Sequence, residues 1–154
     1  GTWEGWLYLA TVIDIASRRV VGYAMADHLR TSLVADALIN AVAARDPAPE
    51  VIFHSDRGCQ YTSGEFAALA AGCQVQLSHG RTGPCWDNAL AESFFSSIKG
   101  ELLDLQAWPT KAGARRAVTE YIGWYNDTRL HSSLGYKAPA EFEASHRNEI
   151  KNVA

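Results

Sequence analysis

The sequence predicts an α/β fold, and three observations lead to it. Short apolar runs of strand length at residues 6–13, 19–25, 51–53 and 74–77 are interleaved with longer stretches whose apolar residues recur at helical spacing. The 154 residues are 47% hydrophobic and 20% charged, enough apolar material for one core and too little length for two ordinary domains. Asp56 follows closely on the run at 51–53 and so stands at the carboxyl end of a strand, where open α/β sheets place their ligands.

Residues 6–13 are apolar on both alternating faces, as an interior strand covered on two sides must be. A tight connection at 14–18 returns the chain into residues 19–25, so the two runs form a hairpin. Thr31 or Ser32 is placed to cap a helix in which Val34, Ala37, Leu38, Ala41 and Val42 share one face, and Asp46-Pro47-Ala48-Pro49 stops it. After the strand at 51–53, Ser63 caps a short helix with Phe66 and Leu69 inward and Gly72 at its end, before another brief strand at 74–77. Residues 78–86 contain Gly80, Gly83 and Pro84 without periodicity and read as a loop.

The helix after that loop has two stripes. Glu92, Ser96 and Lys99 recur at i, i+4 and i+7 on a polar one, and Ala91, Phe95, Ile98, Leu102 and Leu105 form an apolar one beside it. Asp87 suits the N-cap. A fourth helix follows Trp108-Pro109-Thr110 with Ala114, Ala117, Val118, Tyr121 and Tyr125 along one side, and Trp124 is expected in the core with them. Pro139 opens a terminal helix to about Ala144. The domain is expected over 1–145, with a loose tail at 146–154.

Composition narrows the function classes. No apolar run approaches the about 20 residues of a membrane span, and the start lacks the basic-then-apolar layout of a signal peptide, so a cytoplasmic protein is expected. Cys59, Cys73 and Cys85 are odd in number with no Cys-x-x-Cys pair, which argues against a disulfide framework and a zinc site. The net charge of −3 works against phosphate binding taken over the whole chain, although a site for a cation must itself be acidic.

The chemistry-bearing residues concentrate between His54 and Lys99. Taken singly, Asp56 is a turn residue and Glu92 a solvated helix carboxylate. Together, one at a strand end and one on a helix that also presents Lys99, they can converge on a hard cation such as Mg²⁺. Lys99, beside the acid, is either an ordinary surface lysine or placed to hold a phosphate, and Asn88 either supports the ligands from behind or makes a further contact of that kind. His54 and His131 lack soft-metal spacing and are expected to hydrogen-bond within the fold.

Three stretches then carry a resemblance. They are His54-Ser55-Asp56-Arg57-Gly58-Cys59-Gln60-Tyr61-Thr62-Ser63; Trp86-Asp87-Asn88-Ala89 with Glu92-Ser93-Phe94-Phe95; and Trp124-Tyr125-Asn126 through Arg129-Leu130-His131-Ser132-Ser133-Leu134-Gly135-Tyr136. In this order they resemble the integrase catalytic core of bacterial insertion-sequence (DDE) transposases, a family similar to the retroviral integrases and sharing their ribonuclease H-like fold.

The resemblance implies a mixed sheet flanked by helices and metal-dependent DNA cleavage and strand transfer. It assigns Asp56 and Glu92 as catalytic metal ligands for Mg²⁺ or Mn²⁺. It also implies transposon ends and target DNA as partners, a homo-oligomer on DNA, and a separate helix-turn-helix region upstream. Family members carry a first catalytic aspartate on a central strand ahead of the first hairpin, and Gly1 falls after that position. Asp14 matches a different family aspartate and is not a ligand. The chain alone is therefore expected to be inactive, with the strands at 6–13 and 51–53 either closing on each other or left only marginally folded. Two alternatives stand beside this reading: a nuclease on the same fold, and a non-catalytic remnant that binds DNA.

Overall fold

The computed structural model describes residues 1–45, 51–55, 63–79 and 86–153. The expected hairpin is present, as β1 (Tyr8–Ile13) antiparallel to β2 (Val20–Ala26), in register from Tyr8 opposite Ala26 to Ile13 opposite Val20. β1 begins two residues later than the apolar run, leaving Trp6 65% exposed. In the turn, the Asp14 carboxylate accepts the backbone N–H groups of Ala16 and Ser17 at 2.9 and 3.0 Å and pairs with Arg45 at 3.5 Å. These bonds give Asp14 a structural task in the turn.

The two faces of the hairpin feed different cores. Tyr8, Ala10, Val12, Ala24 and Ala26 face one, and Leu9, Ile13, Val20, Tyr23 and Met25 face the other. On the first face lies α1 (Thr31–Arg45), which buries Leu33, Val34, Ala37, Leu38 and Ala41. Thr31 is its first helical residue, so the helix starts at the expected cap and not after it. The helix comes so close to β2 that a Cβ on Gly22 would lie 2.5 Å from the Ala41 nitrogen and 2.6 Å from the Ala37 carbonyl oxygen. The Asp46-to-Pro49 stop signal lies outside the described residues.

β3 (Val51–Ser55) and β4 (Val75–His79) run parallel, Val51 opposite Val75 and Ser55 opposite His79. Both outrun the short apolar runs that marked them. Between them, α2 (Gly64–Gly72) starts as expected at Ser63, whose hydroxyl accepts the Phe66 N–H at 3.2 Å. Phe66, Val75, Phe53 and Leu77 join Ala10 and the α1 residues in the first core.

Among the described residues β1 pairs only with β2 and β3 only with β4. Of the two expected outcomes for β1 and β3, closing on each other or being left marginally folded, the first is not seen: the strands contribute to one core without pairing.

α3 (Trp86–Glu101), α4 (Lys111–Asp127) and α5 (Pro139–Val153) complete the chain. Thr110 caps α4 through the Gly113 N–H at 3.0 Å. α4 buries Ala114, Val118, Tyr121, Ile122, Tyr125 and Asn126, but Trp124 turns outward and is 44% exposed, against expectation. α5 continues through residues expected to form a loose tail, as far as Val153. It is fastened by Glu143, which accepts the Ser17 hydroxyl at 2.7 Å and is paired with Arg45 and, at 3.4 Å, Arg19.

Candidate active site

The site is built on α3. Its inward stripe is centred on Phe94 and Ile98, both fully buried against Val118, Tyr121, Ile122 and Tyr125 of α4 and the second face of the hairpin. Ile98 is inward as expected, and Phe95 and Leu102 pack partly buried beside it, but Phe94 is the fully buried ring and Leu105 lies beyond the helix in a 3₁₀ turn, 70% exposed. Phe94 wins because it meets Tyr125 edge-on, ring centres 5.1 Å apart, with Tyr121 at 6.4 Å, a geometry that aromatic quadrupoles favour.

With Phe94 and Ile98 inward, Glu92, Ser96 and Lys99 are all exposed. Neither Glu92 nor Lys99 forms an ion pair among the described residues. The acid and the base therefore face solvent from one rigid helix. α3 begins at Trp86, so Asp87 is already within the first turn and not ahead of it; the backbone of Asn88 follows in the same turn. The side chains of Asp87, Asn88 and His54 lie outside the described residues, as does Asp56 entirely. Asp56 directly follows Ser55, the last residue of β3, and α3 packs against both β1 and β3. The helix carrying Glu92 thus lies against the strand that leads into Asp56. Among the described residues no three His, Cys, Asp or Glu side chains gather into a metal site, and no helix is long and apolar enough to cross a membrane.

Near α3, Glu101, Arg129 and Asn126 had no assigned role in the sequence, and Tyr121 was expected only to pack along one side of its helix. At Glu101, the last residue of α3, Oε1 accepts Arg129 Nε at 3.0 Å and Nη2 at 2.6 Å, and Oε2 accepts Arg129 Nε at 3.1 Å and the Tyr121 hydroxyl at 2.7 Å. The Arg129 hydrogen bonds hold the Glu101 carboxyl below its ordinary range, against the opposing effect of burial and with help from Tyr121. Burial, then the bond to Glu101, pushes the Tyr121 hydroxyl up. Asn126 grips β2 at both polar atoms of one residue, accepting the Val20 N–H and donating to the Val20 carbonyl, each at 2.9 Å.

His131, expected to bond within the fold, is buried beside Arg129, with Nδ1 3.4 Å from Nη1, and its ring meets Tyr125 edge-on at 4.9 Å. Its backbone organises the following turn, donating to the Lys137 carbonyl and accepting from Leu134 and Tyr136. Burial, reinforced by Arg129 and Arg18, pushes the imidazole below its ordinary value, so it stays neutral. With Nδ1 facing an Arg donor, Nε2 is assigned the proton.

Family models decide what this arrangement belongs to. A model described as integrase core domain matches residues 1–85, and a second of the same description matches 73–139. The chain belongs to the integrase core domain family. This integrase core is 40% identical over 143 residues to the transposase for insertion sequence element IS904 of Lactococcus lactis subsp. lactis (strain IL1403), covering 92% of this chain and 56% of the relative. Against transposase InsF for insertion sequence IS3A of Escherichia coli (strain K12) it is 41% identical over 141 residues, covering 91% and 49%. It thus spans about half the length of the curated relatives it matches.

Its fold is shared with retroviral integrases. The simian T-cell lymphotropic virus intasome, in complex with PP2A regulatory subunit B56 gamma, contains a chain that superposes with a TM-score of 0.74 at 16% identity, over 92% of this core and 49% of that chain. The HTLV-2 integrase catalytic core domain, in complex with magnesium and in dimeric form, gives 0.64 at 17% identity over 88% and 82%. The mixed α/β architecture expected from the sequence, with one antiparallel and one parallel pair of strands, is therefore the ribonuclease H-like fold.

Proposed function

We propose that this integrase core is the catalytic part of a DDE transposase that cuts transposon ends and joins their 3′ hydroxyls to target DNA, with Asp56 and Glu92 as its metal ligands. The observation that carries the reading is the exposed stripe of α3, where Glu92 and Lys99 face outward from a helix packed against the strand leading to Asp56. The donor set fits a hard cation: Glu92 is exposed and free of ion pairs among the described residues, whereas Asp14 is taken up by its own turn and Arg45. Bound Mg²⁺ or Mn²⁺ supplies activation of an attacking hydroxyl and stabilisation of the leaving oxygen of a phosphodiester.

The chain's own residues do the rest. Asp56 and Glu92 hold the cation. Lys99 and Asn88 hold the DNA backbone in register, Lys99 through its charge. The partners are DNA at both the transposon end and the target, and further copies of the protein on it.

The test uses the transposase that carries this core. Asp56→Asn and Glu92→Gln should each lower DNA cleavage by on the order of 10⁴-fold, the double variant being no worse, since ligands of one site act as a unit. Unchanged melting in both variants ties the loss to chemistry. Near-normal cleavage by either would remove that residue from the site.

A further inference from the structure

We infer that Arg129 and Glu101 form a positioning clamp that sets the rotation and height of α3, and through it the place of Glu92. The inference rests on the proposed active site, and it gives a task to the Trp124-to-Tyr136 stretch.

Glu92 and Glu101 are nine positions apart on one helix. At 3.6 residues per turn that places them on opposite sides and about 13 Å apart along the axis, so fixing one fixes the direction in which the other points. Glu101 continues the Phe94–Ile98 stripe, facing α4. The edge-on ring contacts of Phe94 choose which face of the helix turns inward, but apolar burial itself is non-directional and leaves room for a roll or slide of about 1 Å. A forked Arg–carboxylate pair does not, because two or more N–H···O bonds define an orientation as well as a distance.

Arg129 is itself held at several points. Its backbone N–H donates to the Trp124 carbonyl at 3.0 Å, closing the end of α4. Its guanidinium lies 5.8 Å from the Tyr125 ring centre and against His131 Nδ1. One turn back, Asn126 locks α4 to β2 at Val20. A continuous chain of directional bonds therefore runs from the hairpin through Asn126, α4 and Arg129 to Glu101 and α3. None of these groups reaches the reacting atoms, so Arg129 and Glu101 are positioning residues.

The experiment compares Arg129→Gln, Glu101→Gln, their double variant, Arg129→Lys and Glu92→Gln in the transposase that carries this core, measuring kcat and KM for DNA cleavage well below each variant's melting temperature. The clamp predicts a loss of kcat of about 10- to 100-fold in each single variant, the effect of a displacement near 1 Å, with KM for DNA unchanged and the double variant no worse than the singles. Arg129→Lys keeps the charge without the fork and stays impaired. Wild-type kcat in a folded Arg129→Gln protein overturns the clamp. Should that variant fail to fold, Arg129→Lys, which keeps the charge and loses the fork, decides: lowered kcat supports the clamp and wild-type kcat overturns it. Glu92→Gln separates the two levels. If it cleaves normally the active-site reading fails; if it is dead while Arg129→Gln is normal, only the clamp fails.

Discussion

The two sheets of this fold are supported differently. The β1–β2 hairpin is covered on both faces, by α1 on one and by α3 and α4 on the other, and sends side chains into both cores. The β3–β4 pair sends Phe53, Val75 and Leu77 into the first core only; on its other face Ile52 is 54% exposed, and among the described residues neither strand joins the second core. The helix with Glu92 is thus seated on the doubly covered half, while Asp56 follows a strand of the singly covered half. The two sides meet at α3 itself, which packs against β3 as well as β1, while the Glu101–Arg129 pair ties that helix to the end of α4 on the doubly covered side.

Single substitutions can break that comparison. Phe94→Ala on the doubly covered side should cost about 3–5 kcal/mol, as for a fully buried phenylalanine, whereas Ile52→Thr should stay within about 0.5 kcal/mol. Chemical denaturation of both variants measures the contrast. A cost for Ile52→Thr well above that range would mean that the outer face of β3 is covered in solution as the hairpin's is.

A smaller effect sharpens the same contrast from the other side of the hairpin. Gly22→Ala would press a methyl group into the α1 backbone at Ala41 and Ala37, and should destabilise by about 1–3 kcal/mol through a forced shift of helix against strand. Gly64→Ala, in the first turn of α2 with nothing within 4 Å of an added Cβ, is the control and should not destabilise. Equal melting temperatures for the two variants would show that α1 yields freely, and that the hairpin is less tightly sandwiched than its burial suggests.

The smallest effect is set by pH. His131 is held below its ordinary value of 6.5 by burial and by Arg129 and Arg18, so the unfolded chain takes up a proton that the fold refuses, and stability declines as pH falls below that value. Burial works to raise the Glu143 carboxyl, but hydrogen bonds from Arg45 and Ser17 outweigh it and the group ends below 4.5. Its stabilising contribution is present above that value and is lost as pH falls through and beneath it; Glu101 behaves alike. Thermal melts from pH 7 down to about pH 2 should therefore decline in two stages. Glu143→Gln should melt lower at pH 7 and lose part of the second stage; an unchanged slope in that variant would remove Glu143 from the acid response.

Much of this molecule is written locally. The hairpin, the strand–helix–strand order around a helix capped by Ser63, the start of α4 at Thr110, and the exposed Glu92–Ser96–Lys99 stripe all follow from periodicity and capping within a few residues, which is why they are legible in the sequence. Periodicity narrows a helix's inward face only to within about one residue, or 100° of rotation. It cannot choose between the neighbours Phe94 and Phe95, or tell that Trp124 turns outward while Tyr125 turns in, because the aromatic partners that decide lie on another helix.

The same limit hid the Glu101–Arg129, Asn126–Val20 and Glu143–Arg45 pairs, whose members are 28, 106 and 98 residues apart. Nor could any pattern within a strand reveal that β1 and β3 share a core without pairing. Pattern and propensity act on neighbours in the chain and determined the elements and the face that carries the acid. Rotation, register and the clamp are set by directional contacts between distant segments, and only the tertiary structure brings those segments together.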